Sequence, residues 1–235
     1  MSVNQENVVP GRPRAVVSLS GGMDSSVCLA LAARDYDVYA LHFSYGQRTE
    51  SRELTSARAV AELLGVKQFL PLKIDLFRQI GGSALTDPTI AVPDAPAIEK
   101  IGEEIPVTYV PFRNAHFLAA AVSWAEVIDA KAIFIGAVDQ DSSGYPDCRP
   151  AYYDAFRQVI RTGTRHGDIE IFTPLIHLKK SEIVQLGLEL GAPFPLTWSC
   201  YSSEDLACGL CDSCVLRLRA FAQAGASDPI PYAQV

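Results

Sequence analysis

Short apolar segments alternate with helical patterns from Arg14 to Gly191, and this alternation constrains the fold more than any other feature. The apolar segments are nearly continuous, as expected for strands buried on both faces of a parallel sheet. The predicted strands are Arg14–Leu19, Val38–Ser44, Gln68–Ile74, Ala132–Val138 and Ile169–Thr173. The predicted helices are Asp24–Arg34, Glu50–Leu64, Asn114–Asp129, Pro150–Arg161 and Ser181–Leu190. The pattern predicts a doubly wound α/β fold with a mostly parallel sheet and right-handed crossovers.

Composition restricts the class of protein further. A chain of 235 residues is expected to form one large domain, or one domain with an appendage. The formal net charge of −7 argues against a nucleic-acid-binding surface as the main function. No apolar run reaches the roughly 18–20 residues of a membrane span. Residues 1–13 lack the apolar core of a signal peptide, so we expect a flexible N-terminus on a cytoplasmic protein.

A glycine-serine turn, Ser20–Ser26, separates the first predicted strand from the first predicted helix. A helix N-terminus offers unpaired N–H groups, and glycine lets the backbone approach an anion closely. The turn therefore indicates a nucleotide phosphate site, although such turns often have only a structural role. No Gly-Lys-Ser/Thr sequence occurs, which excludes a Walker-type loop. Asp24 is interpreted either as the helix N-cap or as a contact to Mg²⁺ that bridges the phosphates.

Four cysteines lie close together near the C-terminus, in the spacing Cys-x₇-Cys-x₂-Cys-x₂-Cys. They are Cys200, Cys208, Cys211 and Cys214. Four thiolates suit a tetrahedral, structural Zn²⁺ ion, with an iron–sulfur cluster or free and redox-active thiols as alternatives. The site is expected to pin Ala192–Cys214 onto a final helix at Asp212–Ala222. Cys28 lies in the apolar stripe of the first helix and is interpreted as a core residue.

Three polar turns are expected at the carboxyl edge of the sheet, where ligands of such sheets bind. They are Tyr45–Arg48, Val110–Asn114 and Gly144–Arg149. Ordinary turn chemistry explains much of their composition. Each turn also carries an arginine, however, and an arginine in every turn indicates a phosphate or carboxylate ligand. The three arginines are Arg48, Arg113 and Arg149.

Other polar residues near these turns have two interpretations each. Asp139, Asp141 and Asp147 are expected to accept the N–H edge of a guanine-like ring or to bind Mg²⁺. Lys180 starts a predicted helix, and it is either a solvated surface lysine or a cation that neutralises ATP phosphate charge. The segment Asp75–Tyr109 contains adjacent glycines, several prolines and little periodicity, which is typical of a functional loop or of disorder.

These strings together resemble the QueC family, the 7-cyano-7-deazaguanine synthases of the PP-loop ATP pyrophosphatase superfamily. The resemblance extends from about Arg14 to Phe221, and Ser143–Arg149 joined to the cysteine spacing is its most specific part. It implies an adenine-nucleotide α-hydrolase-like fold. Residues 14–191 would form the ATP-binding domain, and residues 192–235 a zinc-binding segment packed on it. Two features depart from the family: many relatives have glycine where Phe112 stands, and one extra residue precedes Glu53.

The resemblance also implies a reaction. 7-Carboxy-7-deazaguanine and ammonia would become the 7-cyano compound, a queuosine precursor, through an adenylated carboxylate and an amide. It implies ATP, Mg²⁺ and one structural Zn²⁺ ion per chain, a homodimer, and neither nucleic acid nor membrane as a partner. The alternatives are a PP-loop tRNA thiolase, a related enzyme that joins a deazapurine carboxylate to another amine, and a non-enzymatic zinc-ribbon interaction module.

The resemblance assigns roles to residues that match the motifs. The catalytic residues would be Asp24, Arg113 and Lys180. ATP would be bound by the glycine-serine turn and its flanks: Leu19, Ser20, Gly21, Gly22, Met23, Asp24, Ser25, Ser26, Val27, Cys28 and Leu29. The substrate would be bound by Tyr45, Gln47, Arg48, Asp139, Tyr145, Asp147 and Arg149. The four clustered cysteines would bind the zinc ion.

Overall fold

The structure is a computed structural model that describes residues 11–95, 101, 104–139 and 144–233. Of the predicted flexible N-terminus, residues 1–10 lie outside the described part. The two residues before the first strand are tied to the fold. Arg12 donates a hydrogen bond to the Ala33 carbonyl (2.7 Å), and the Pro13 carbonyl accepts one from the Asp37 N–H (2.8 Å).

Five strands form one parallel sheet. They are β1 (Arg14–Ser18), β2 (Asp37–Ser44), β3 (Gln68–Lys73), β4 (Ala132–Ile135) and β5 (Glu170–Phe172). Their order is β3-β2-β1-β4-β5, and each neighbouring pair is parallel. The order reverses between β1 and β4, and a doubly wound sheet opens its ligand crevice at such a reversal. The predicted α/β fold is confirmed.

The helices follow the predicted pattern closely. They are α1 (Met23–Asp35), α2 (Glu50–Leu63), α3 (Leu76–Ile80), α4 (Arg113–Val127), α5 (Pro150–Gly163), α6 (Lys180–Glu189) and α7 (Asp212–Gln223). Two short 3₁₀ turns, at Pro146–Cys148 and Phe194–Leu196, complete the set in the described residues. The short helix α3 was not predicted, because a five-residue helix is too short to show a helical period.

The edge strands differ from the expectation that all strands are buried on both faces. None of the side chains of β3 is fully buried, and in β5 only Ile171 is. Both strands lie at an edge of the sheet. Pro71 of β3 lacks a backbone N–H, and an edge strand tolerates this loss. The expectation is therefore wrong for the edges and holds for the three central strands.

Two apolar layers cover the faces of the sheet. Successive side chains of a strand point to opposite faces. Val17 of β1 packs in a cluster with Val27 and Ile183, whereas the adjacent Val16 packs in a second cluster with Leu118 and Tyr153. Helices α1, α2 and α6 therefore cover one face, and α4 and α5 the other. No helix in the described part of the chain is long and apolar enough to cross a membrane.

The end of β4 is shaped by one glycine. The strand was predicted to reach Val138 but ends at Ile135. A Cβ atom on Gly136 would lie 3.0 Å from the backbone of Asp24, which is tighter than nine in ten real Cβ contacts. Glycine at this position therefore lets the first turn of α1 approach the end of β4.

We expect Gly187→Ala to destabilise the fold by about 1–3 kcal/mol, because α6 packs against α1 at this glycine. An added Cβ would lie 2.8 Å from Cγ2 of Val27 and would also overlap the Phe194 ring. The control is Gly163→Ala in α5, which meets open space. It should be neutral or more stable by up to about 1 kcal/mol. Denaturant unfolding measures both, and equal stabilities would contradict the packing.

Candidate active site and metal centre

The glycine-serine turn folds around the carbonyl of Gly22, which is the N-cap of α1. That carbonyl accepts hydrogen bonds from the Ser26 N–H (3.1 Å) and from the hydroxyls of Ser25 (3.0 Å) and Ser26 (2.8 Å). The Ser20 hydroxyl accepts one from the Gly22 N–H (3.2 Å). The interpretation of Asp24 as the N-cap is wrong, because Asp24 lies inside the first turn. The turn places the helix N-terminus at the carboxyl end of β1.

Gly21 is packed so closely that no side chain fits. Its φ is +89°, and a Cβ would lie 2.6 Å from the Glu53 carbonyl oxygen and 2.8 Å from the Ala57 nitrogen. The Trp198 N–H donates a 2.8 Å hydrogen bond to the Gly21 carbonyl. The turn is thus held between α2 and the segment that leads to the cysteines.

Asp24 and Lys180 form an ion pair that joins the first turns of α1 and α6. Their side chains are 24% and 13% exposed, so the solvated-lysine interpretation of Lys180 is wrong. Oδ2 of Asp24 accepts a hydrogen bond from Nζ of Lys180, whereas Oδ1 is buried without a hydrogen-bond partner in the described residues. The pair brings one cation and one free carboxylate oxygen to the turn.

Arg113, the first residue of α4, points its guanidinium into the cleft. Its Nη1 donates to the Tyr45 hydroxyl (2.8 Å), and its Cζ lies 5.4 to 6.0 Å from the rings of Tyr45, Phe117 and Tyr145. No carboxylate of the described residues is within ion-pair distance, and its buried Nε has no partner there. A partly buried cation without a counter-ion is suited to bind an anion.

The turn after β2 positions its own residues tightly. The Gln47 side chain accepts from the Tyr45 N–H (2.8 Å) and donates to the Phe43 carbonyl (3.2 Å). Burial raises the pKa of Tyr45 to about 12, so its hydroxyl stays protonated. Arg48 donates to backbone carbonyls of Ala84, Asp87 and Ile90. Arg48 therefore holds the segment after α3. A ligand contact of the predicted kind would compete with these hydrogen bonds for the same guanidinium group.

The structure separates the residues predicted to recognise the base. Asp147 is buried: its Oδ2 accepts from the Asn114 N–H (3.0 Å), and its carbonyl from the Asn114 side chain (2.9 Å). Asp147 thus supports the start of α4. Arg149 and Asp139 are exposed and do not line the cleft, and Asp141 lies outside the described residues.

The cleft consists of two adjoining cavities, of about 190 and 270 Å³, above β1, β2 and β4. Both are lined by Met23, Asp24 and Arg113. Tyr145 and Lys180 line the smaller one, and residues of the turns after β1 and β2 line the larger one. By contrast, Val27, Cys28 and Leu29 are fully buried in the core. Burial raises the pKa of the Cys28 thiol, which accords with its interpretation as a core residue.

Glu53 is the main residue of the cleft that sequence reasoning left without a role. Its Oε1 accepts from the Thr49 hydroxyl (2.8 Å) and its Oε2 from the Gln47 side chain (3.1 Å). Burial raises its pKa to about 7, against the opposing effect of these two hydrogen bonds and of Arg113. Its place one helical turn after Tyr45–Arg48 was the only available signal, and the extra residue in that stretch obscured it.

The four cysteines converge as predicted. Their sulfur atoms lie within 4.8 Å of one another, and all but Cys208 are buried. Backbone N–H groups of Ser202 and Cys208 donate to the sulfur of Cys200 (3.4 Å each). Cys211 is the N-cap of α7, where the helix dipole favours thiolates. The cluster has the donor set and the spacing to hold a metal ion.

The segment that contains the four cysteines is joined to the cleft by a buried ion pair. Arg217 of α7 is 2% exposed and donates to both oxygens of Asp228 (2.7 and 2.9 Å). Its Nη1 donates to the hydroxyls of Thr197 (2.8 Å) and Ser199 (3.3 Å). Ser199 lines both cavities, so the pair fixes one wall of the cleft.

Comparison with known proteins gives consistent matches over nearly the whole chain. The model of the family described as "Queuosine biosynthesis protein QueC" matches residues 14–225. The 7-cyano-7-deazaguanine synthase of Acidobacterium capsulatum is 73% identical, over 96% of this chain and 99% of that protein. The protein of the same name from Koribacter versatilis is 67% identical, over 94% and 93%.

Among solved structures the likeness is weak. An NH3-dependent NAD synthetase from Campylobacter jejuni has a TM-score of 0.45 and 17% identity, over 80% of this chain and 68% of that chain. A structure described as a predicted subunit of tRNA methyltransferase from Methanocaldococcus jannaschii has a TM-score of 0.45 and 16% identity, over 94% of each chain.

We expect Arg217→Met to destabilise the protein by about 3–5 kcal/mol, because it leaves Asp228 as a buried charge without its partner. The double variant Arg217→Met with Asp228→Asn removes both charges and should recover part of the loss. Denaturant unfolding of the two variants tests this. A double variant that is less stable than Arg217→Met would contradict the pairing.

We expect Glu53→Gln to gain stability relative to the original protein as pH rises. The folded state holds the Glu53 proton up to pH of about 7, whereas the unfolded chain releases it near 4.5. The folded state therefore binds more protons between these values, and its stability falls as pH rises through them. Glutamine removes this loss, by at most about 3 kcal/mol at pH 8 relative to pH 5. A pH-independent difference in unfolding free energy would refute the burial of this carboxyl.

Proposed function

The chain belongs to the QueC family, and from this premise we propose that it converts 7-carboxy-7-deazaguanine, ammonia and ATP into 7-cyano-7-deazaguanine. Its relatives in Acidobacterium capsulatum and Koribacter versatilis carry the name of that synthase. The proposal includes the route through an adenylated carboxylate and an amide.

One observation carries the proposal: a single cleft contains the glycine-serine turn and an arginine that forms no ion pair within the described part of the chain. The turn supplies the N-terminus of α1, a site for phosphate. Arg113 supplies a cation on the other side of the same space, and it is fixed by the Tyr45 hydroxyl at 2.8 Å. Two anions, a nucleotide and a substrate carboxylate, would therefore meet between them.

The chemistry asks the protein chiefly for positioning and charge neutralisation. A carboxylate is a poor electrophile, and a bond from its oxygen to the α-phosphorus of ATP, with loss of pyrophosphate, creates AMP as a leaving group. The turn would hold the phosphates, Lys180 would neutralise the developing charge, and Arg113 would orient the acceptor carboxylate. Ammonia then displaces AMP to give the amide. A second adenylation, at the amide oxygen, lets AMP leave with that oxygen and gives the nitrile.

Magnesium fits the same place. Asp24 Oδ1 is a buried carboxylate oxygen without a partner in the described residues, and Mg²⁺ prefers such oxygens together with phosphate. Bound Mg²⁺ would neutralise charge on the phosphates. In this arrangement Asp24 would bind the metal through its Oδ1 atom, while its Oδ2 atom keeps the ion pair with Lys180.

Zinc is the proposed occupant of the cysteine cluster. Four thiolates with no open position are the donor set of structural zinc sites. The ion would hold Cys200 and α7 together and thereby keep the Trp198–Ser199 backbone against the turn. The homodimer and the cytoplasmic location remain predictions from the family resemblance.

The purified protein should form the nitrile from 7-carboxy-7-deazaguanine, ATP, Mg²⁺ and ammonium, as detected by mass spectrometry. Lys180→Met should lower the rate roughly 100- to 1,000-fold, because it removes a fixed cation from the site. Lys179→Met is the matched control, since Lys179 is exposed and does not line the cleft. Absence of nitrile, amide and AMP from the unaltered protein would refute the function.

Metal analysis should find one zinc ion per chain. Cys211→Ala should lose the ion and most of the soluble yield, because metal binding is coupled to folding. Cys28→Ala is the control, since Cys28 is a buried core thiol outside the cluster, and it should keep the ion. Soluble, fully stable Cys211→Ala protein would contradict the structural role, and visible absorbance from iron would contradict zinc.

A further inference from the structure

We propose that Glu53 binds the ammonium ion in the cleft and accepts one of its protons. This transfer generates ammonia, the nucleophile, beside the glycine-serine turn. The inference rests on the proposed function, because it concerns the amine that this reaction consumes. It assigns a new site to the larger cavity and a chemical class of ligand, a small monovalent cation that carries N–H groups.

The carboxylate of Glu53 is held in place from two sides. Thr49 and Gln47 donate to its two oxygens, and these donors are only 2% and 5% exposed. Each carboxylate oxygen retains acceptor capacity after these bonds. The backbone of Glu53 packs against Gly21, and the residue lines the same cavity as Ser20 and Arg113. The group is therefore fixed next to the place where the acyl phosphate would form.

Glu53 forms no ion pair in the described residues, whereas Asp24, the other carboxylate of the cleft, does. Asp24 and Glu53 are the carboxylates that line the two cavities in the described residues, and Asp24 is paired with Lys180. No lysine or arginine nitrogen of the described residues lies within ion-pair distance of Glu53. Arg113 and Glu50 are the charged groups that act on it, with opposite effects on its pKa, and the neutral Tyr45 hydroxyl lies nearby. The cavity thus presents one carboxylate that can take a cationic ligand.

The reaction needs such a group. Ammonium has no lone pair and cannot attack. When one proton passes to a Glu53 oxygen, the freed lone pair forms the C–N bond to the adenylated carbonyl carbon. The C–O bond to AMP then breaks, AMP leaves with that electron pair, and the new nitrogen releases a second proton to the departing phosphate. No oxidant or reductant is involved.

The test separates adenylation from amination. Exchange of labelled pyrophosphate into ATP, driven by 7-carboxy-7-deazaguanine, needs no amine. Glu53→Gln should retain this exchange and lose roughly 100- to 10,000-fold in ammonium-dependent amide formation. Hydroxylamine is already a neutral nucleophile near neutral pH, so it should restore acyl transfer in Glu53→Gln. Glu62→Gln is the matched control on the same helix: Glu62 is exposed, does not line the cleft, and the variant should behave as the original protein.

A second measurement uses the unaltered protein and does not depend on how the variant folds. Ammonium-dependent amide formation should fall as pH drops below about 7, because protonated Glu53 cannot accept a proton. The exchange rate and the hydroxylamine reaction should fall much less. Parallel loss of all three rates would overturn the inference.

Three other outcomes overturn the inference while the proposed function stands. They are an unchanged ammonium rate in Glu53→Gln, a loss of exchange as severe as the loss of amination, and no gain from hydroxylamine. Loss of exchange with a raised Mg²⁺ requirement would assign Glu53 to the metal instead. If the unaltered protein shows no substrate-dependent exchange, the proposed function itself fails, and the two failures are therefore distinguishable.

Discussion

The hydrogen bond from the Trp198 N–H to the Gly21 carbonyl, 2.8 Å long, is the contact on which the rest of the site depends. Gly21 lies between this contact and the backbone of α2, with no room for a Cβ atom on the α2 side. The glycine-serine turn, the Tyr45–Arg48 turn and the cysteine segment therefore share one fixed point. A shift in any of them would move Ser199 and Glu53, which both line the cleft.

The two carboxylates of the cleft differ in the charged and hydrogen-bonding groups around them. Asp24 has a lysine on one oxygen, and its second oxygen has no hydrogen-bond partner in the described residues. Glu53 has two neutral donors and no cation at ion-pair distance in the described residues, so burial raises its pKa to about 7. Carboxyl groups with environments of this kind commonly take different roles in acid–base chemistry. Arg113 lines both cavities.

The features that depend on residues close together in the sequence could be predicted. The alternation of strands and helices gave the sheet, and the cysteine spacing gave a cluster whose sulfur atoms lie within 4.8 Å. Contacts between distant segments had no such signal. The partner of Lys180 lies at the other end of the chain, and the carbonyls bound by Arg48 belong to a segment without periodicity. Glu53 was missed for the same reason, because its burial comes from packing against the turn after β1.

The Trp198 contact also has a consequence for how the protein is made. Strands β1 to β3 and helices α1 and α2 are contiguous in the chain and can pair as they leave the ribosome. The glycine-serine turn, which is among the first structures synthesised, cannot acquire this backbone partner until residue 198 emerges. A nascent chain would thus carry three paired strands and an incomplete glycine-serine turn until residue 198 is available. Arrival of the cysteine segment would add that partner, so the glycine-serine turn would be completed only on nearly full-length chains.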